Sequence, residues 1–336
     1  MICTARSCGV AANNARSILC AAVKKEIVLT DSFLMIAEQV LVLFVLIAVG
    51  FACGKKGLLT EHASKKMTDI VLYVVTPCVM ISAFQREFSF ELLGKTLIAA
   101  VVAALIIVGS IFISILIFRD KNEARKKVLR FSVVFSNCGF MSLPLQKAIL
   151  GNDGWFYGSI FVAVFNVFVW TYGLASMSGD IKQLSIKKLA FNPGIVGVAV
   201  ALVLFVCRIS LPNVISLPVE YLSSLNTPLP MLIIGFYLSR ANLKKAFGDR
   251  WVYLAMLIRL VVIPAVALLA MVVLRLDSTM TVAFIIASSA PTAATTTMFA
   301  AKFNRDSELS VSIVAASTLV SIATMPPIVA LAQTLT

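Results

Sequence analysis

Apolar residues fall into ten long blocks along the chain, roughly 36–53, 68–84, 93–118, 131–150, 156–177, 192–211, 216–238, 252–274, 280–300 and 309–333. A helix needs about 20 mostly apolar residues to cross the hydrocarbon of a bilayer, and each block meets or approaches that length. The pattern predicts an all-α membrane protein with ten transmembrane helices. Polar and charged residues collect in short connections, where Lys and Arg alternate sharply. The connections after the first, third, fifth, seventh and ninth blocks hold nineteen Lys and Arg residues, against five in the others (Arg86, Lys95, Lys147, Arg208 and Arg275). Cytoplasmic loops carry the excess of basic residues, so both ends of the bundle are expected to face away from the cytoplasm. Residues 1–34 fit this scheme poorly, since Arg6, Arg16, Lys24 and Lys25 would lie outside. They read as a disordered extension or a mis-assigned start, with Met35 as the expected first residue, and they take no functional role.

Two blocks are interrupted in a way that lipid does not tolerate without cause. Asn137 to Pro144 places a free amide and a proline inside the fourth block, and Pro291 breaks the ninth among Ser288, Ser289, Thr292, Thr295, Thr296 and Thr297. Unpaired backbone groups in hydrocarbon cost several kcal/mol, so irregular backbone at membrane depth lines a cavity or a protein-buried site. The two prolines lie 147 residues apart, and Thr76–Pro77 with Met80 recurs 151 residues later as Thr227–Pro228 with Met231. Each half then holds five spans. Because five is odd, the second half enters the membrane the opposite way up, giving two inverted five-helix repeats with broken, crossing fourth and ninth helices. Such architecture belongs to secondary transporters that bind substrate at the midplane.

Proline suits the first position of a helix, so Pro144 and Pro291 are each expected to begin a half-helix at mid-membrane. Two half-helix N-termini, each worth roughly half a positive charge with free N–H donors, can hold a carboxylate without a buried Lys or Arg. The predicted ligand is a small organic anion, with Asn137, Pro144, Pro291, Ser289, Thr292 and Thr295 around it. Pro77, Pro228 and Pro264 read as plain kinks. Asn166, beside Trp170 in the fifth block, fits either interhelical hydrogen bonding or ligand contact. Glu91 and Lys95 have the spacing and order of a helical ion pair, for which a surface pair is the simpler reading. Arg259 can snorkel to the cytoplasmic interface or, at that depth, pair or gate. Asp69, near the inner end of the second block, and Glu91 are the first candidates to carry a coupled proton, so Glu91, Lys95, Asp69 and Arg259 are the expected coupling and support residues.

Composition narrows the chemistry further. Hydrophobic residues make up 60% of the chain and charged residues 13%, with a mean hydropathy of +0.97. The net charge of +13 is spread through short loops and not along one stripe, which argues against a nucleic-acid partner. Seven cysteines form no CxxC pair, and the single histidine, His62, lies in a loop. No metal or cofactor is expected, and no enzyme activity, because no nucleophile and base or metal-ligand set accompanies the breaks. The stretch Gly50 to Lys55 lacks the spacing of a phosphate loop, with Lys56 where Ser or Thr is needed.

These residues resemble the auxin efflux carrier family, which includes plant carriers and bacterial members that move small carboxylates. The resemblance runs from about Met35 to the C-terminus, on Pro77–Cys78, Asn137 through Pro144 to Gly151, Asn192–Pro193, Thr227–Pro228 with Gly235, Arg259 with Pro264, and Ala290–Pro291 leading to Phe299–Asn304. It implies a first repeat over 35–178, a cytoplasmic linker over 179–191 and a second repeat over 192–336. Spans one, two, six and seven would form a scaffold that dimerises, and the other six an elevator-like transport domain crossing over at Pro144 and Pro291. It further implies that Asn137 contacts the substrate carboxylate, that Asn166 lines the pocket, and that Glu91 and Lys95 support the site. The expected protein is a secondary transporter of a small organic anion in the cell membrane. The competing reading is an anion channel or membrane receptor using the same cavity.

Overall fold

A computed structural model describes residues 34, 37–179, 193–240 and 248–336. Most of the expected extension over 1–34 and of the linker over 179–191 therefore lies outside the described residues. The described helices are α1 (Ala37–Lys55), α2 (Glu61–Ala83), α3 (Phe90–Ile117), α4 (Glu123–Val134), α5 (Cys138–Ser178), α6 (Pro193–Val206), α7 (Asn213–Ser224) and α8 (Pro228–Arg240). They continue as α9 (Arg250–Val273), α10 (Ser278–Ser289), α11 (Thr295–Lys302) and α12 (Ser307–Leu335).

Six of these, α1, α2, α3, α5, α9 and α12, are long and apolar enough to cross a membrane, while α6 and α10 are apolar but shorter. Of the four blocks that fall short, the sixth forms the fourteen-residue α6 and the other three are broken. The fourth block divides into α4 and the start of α5, the ninth into α10 and α11, and the seventh into α7 and α8 at Asn226–Thr227. The start of α5 and the fifth block form one long helix that turns at Gly151, whose φ of +62° suits glycine.

Several helices that start in loops are capped by side chains, which satisfy their free N–H groups. Ser89 accepts from Leu92 N–H, Asn122 from Ala124 and Arg125, Asp277 from Met280, and Asp306 from Leu309. Prolines inside the helices are absorbed differently. Pro77, Pro144 and Pro264 each follow a single π-helical turn, at Val71–Val75, Cys138–Ser142 and Ile258–Val262. A wider turn accommodates the ring and the missing N–H without ending the helix.

Close helix approaches repeat between the halves. A Cβ on Gly50 of α1 would lie 2.3 Å from the Leu232 carbonyl oxygen of α8, and one on Gly197 of α6 would lie 2.7 Å from Pro77 Cα of α2. Gly50 and Gly197 are separated by the same 147 residues as Pro144 and Pro291. The pairs α1 with α8 and α2 with α6 thus occupy equivalent places. The largest apolar core, with Phe131, Phe135, Phe156 and Phe284 fully enclosed, surrounds the two mid-chain breaks.

Candidate functional site: a crossing of two broken helices

The breaks at Phe135–Asn137 and Ala290–Ala293 meet. Asn137 N–H donates to the Pro291 carbonyl at 2.7 Å, and Ala293 N–H donates to the Phe135 carbonyl at 2.9 Å. Ser136 and Thr292 consequently face each other as an antiparallel pair, the only isolated β-bridge among the described residues. Each break satisfies backbone groups that the other leaves open, which is how two non-helical segments remain buried at low cost. Thr292 is held further by its own Oγ1 donating to Ser132 O at 3.0 Å and its N–H donating to Ser317 Oγ at 3.2 Å.

The position of the first break corrects the sequence expectation. Helix α5 begins at Cys138, and Pro144 lies beyond its opening π turn, inside the helix and outside the cavity. Pro291 lies in the second break itself and serves through its carbonyl, with α11 starting at Thr295. The crossover is therefore centred on Ser136 and Thr292.

Of the two expectations for Arg259, the buried and partnered one holds. It does not snorkel: it is 2% exposed, in the π turn of α9. Its Nη1 donates to Val133 O at 2.9 Å and Val134 O at 3.2 Å, and its Nη2 donates to Ser288 O. Those carbonyls belong to the last turns of α4 and α10, the two helices that run into the breaks. One guanidinium fork thereby joins both negative helix ends.

On the other side of the breaks, the first turns of α5 and α11 open on a cavity of about 50 Å³. That volume has room for a few water molecules. Asn137, Asn166 and Thr295, all singled out from sequence, line it together. Asn137 is 5% exposed, and no hydrogen bond from its side chain occurs among the described residues. The Thr295 hydroxyl is buried without a partner. Asn226, Thr76 and Ser136 complete the polar lining, and Met80, Val162 and Phe165 contribute apolar walls. Asn226 Nδ2 donates to Gly139 O at 3.0 Å, tying the α7–α8 break to the start of α5. Sequence reading missed Asn226, although it directly precedes the recurring Thr227–Pro228. No charged side chain lines the cavity among the described residues.

The remaining candidates lie elsewhere. Ser289 is buried but donates to Ile286 O within its own helix. Glu91 and Lys95 pair at 2.8 Å at the exposed start of α3, and Asp69 sits 4.0 Å from Lys66 with its side chain 55% exposed. None of the four lines the cavity.

Apolar helices of membrane-spanning length, packed around interrupted segments that join over a polar cavity, define a multi-pass membrane protein of the transporter class. The chain belongs to the membrane transport protein family (Mem_trans), whose model matches residues 35–185 and again residues 179–329. The two matches are of equal length and displaced by 144 residues, close to the offsets between the repeated prolines. A relative from Methanocaldococcus jannaschii, the uncharacterized transporter MJ1031, is 27% identical over 286 residues, covering 81% of this chain and 91% of the relative.

Proposed function

We propose that this protein is a secondary carrier that moves a small organic anion, a carboxylate, across the cytoplasmic membrane. The observation that carries the reading is the convergence of two half-helix N-termini and three asparagines, Asn137, Asn166 and Asn226, on one uncharged cavity. Helix-end dipoles and amide donors hold an anion by partial charges and hydrogen bonds. Such a site is strong enough to select a carboxylate and weak enough to release it.

The architecture we infer is ten spans in two inverted repeats, with both termini on the non-cytoplasmic side. Helices α1, α2, α6, α7 and α8 would form a scaffold, and the crossing would move past it in an elevator-like cycle. Exposed apolar residues on α1 and α6, such as Leu41, Val45, Val200 and Val203, suit lipid or a second copy of the chain. The inside-negative membrane potential favours anion export by about 2.3 kcal/mol per charge per 100 mV. Import would require a coupled cation.

Counterflow in proteoliposomes tests the reading. A carrier exchanges labelled butyrate against a trans pool of the same anion and saturates, and Asn137→Ala abolishes the exchange. Flux without trans-stimulation would identify a channel, and unchanged exchange in Asn137→Ala would remove the site assignment.

A further inference from the structure

The crossing contains one formal charge, and that charge does not touch the cavity. Arg259 is enclosed, is paired with no carboxylate among the described residues, and keeps its Nε without a hydrogen-bond partner. Its bonds go to carbonyls at the ends of α4 and α10. The first turns of α5 and α11, which carry the opposite dipole sign, line the cavity.

We infer that Arg259 sets the charge balance of the crossing so that the cavity accepts one negative charge, a monoanion in preference to a dianion or a neutral molecule. The inference rests on the small-anion reading above and narrows it.

Each helix end is worth roughly half an elementary charge. The two negative ends, about one charge together, are offset by the guanidinium. The two positive ends, again about one charge together, are left unopposed at the cavity. Unbalanced charge is costly away from water, and a single carboxylate closes the balance. A dianion leaves one excess negative charge in the same enclosure, and a neutral amide leaves the positive ends unmatched. Arg259 is thus a positioning residue. It acts on the ligand through the helix ends that it neutralises, not by contact.

The experiment uses the full chain in proteoliposomes at pH 7.5 with three four-carbon probes: butyrate, succinate and butyramide. Competition against labelled butyrate counterflow is measured for wild type, Arg259→Lys and Arg259→Gln. Wild type is expected to prefer butyrate over both other probes on the order of tenfold or more. Arg259→Lys keeps that preference because it keeps the charge, whereas Arg259→Gln loses the discrimination between butyrate and butyramide. A structural role alone would lower the amount of active protein in both variants without moving the ratio. Succinate competing as well as butyrate in wild type overturns the inference, and so does an unchanged ratio in Arg259→Gln. If Arg259→Gln does not fold, Arg259→Met is the second neutral variant, read by the same butyrate-to-butyramide ratio: loss of discrimination supports the inference and an unchanged ratio overturns it. Wild type that prefers butyramide, or that takes up none of the three, contradicts the small-anion reading itself.

Discussion

Asn137 and Pro291, 154 residues apart in the chain, are joined by a 2.7 Å hydrogen bond from the amide of one to the carbonyl of the other. The bond converts two local defects into one shared structure. It also fixes which helix ends face the cavity and which face Arg259. The functional reading follows from that polarity.

The Thr295 hydroxyl is buried and unpartnered, on a residue that lines the cavity. Removing an unsatisfied hydroxyl in favour of an isosteric methyl is near neutral for stability. Thr295→Val is therefore expected to change unfolding stability by less than about 0.5 kcal/mol while weakening anion binding roughly tenfold, the effect of one lost hydrogen bond to a charged ligand. Thermal unfolding with and without butyrate separates the two effects.

Asn226 bridges the α7–α8 break to Gly139 O. Asn226→Ala leaves a half-buried carbonyl without its donor, at a cost of about 1 kcal/mol. Denaturation in detergent measures the loss. Asn226→Asp should cost at least as much, because a carboxylate would face that carbonyl.

Helix contacts give a contrast that does not depend on the ligand. Gly50→Ala drives a methyl against the Leu232 carbonyl, whereas a Cβ on Gly109 meets nothing within 4 Å. The first substitution should destabilise by about 1–3 kcal/mol as overpacking. The second should be neutral or stabilising, since alanine is the better helix former. Melting temperatures of the two variants check the α1–α8 contact.

The Glu91–Lys95 pair is exposed and lies off the cavity. Glu91→Gln is expected to leave both butyrate exchange and thermal stability unchanged. A loss of exchange without unfolding would give this pair a role that its position does not explain.

Much of the site was readable before the structure. Asn137, Asn166 and Thr295 stand out because a polar group in an apolar block demands a partner, and the cavity unites them. The second break falls at Pro291 as the sequence suggests. The first does not fall at Pro144, because a π turn over Cys138–Ser142 absorbs that proline while the chain opens at Phe135–Asn137, where only tertiary pairing with Pro291 and Ala293 compensates. The partners of Arg259 were hidden for a related reason. Its acceptors are main-chain carbonyls 29 and about 125 residues away in sequence, and carbonyls leave no trace in a pattern of side chains. Asn226 sits inside the apolar block over 216–238, so its place at a helix break was visible only in three dimensions.

Oxidative cross-linking of Ser136→Cys with Thr292→Cys, in a background where the native cysteines are replaced by serine, tests the crossing most directly. Bridged residues in an antiparallel pair have Cα atoms about 4.5–5.5 Å apart, within the range a disulfide spans. Peptide mass mapping of the oxidised monomer should recover a linked pair joining positions 136 and 292. If that peptide is absent while both cysteines react with a small thiol reagent, the two breaks do not meet.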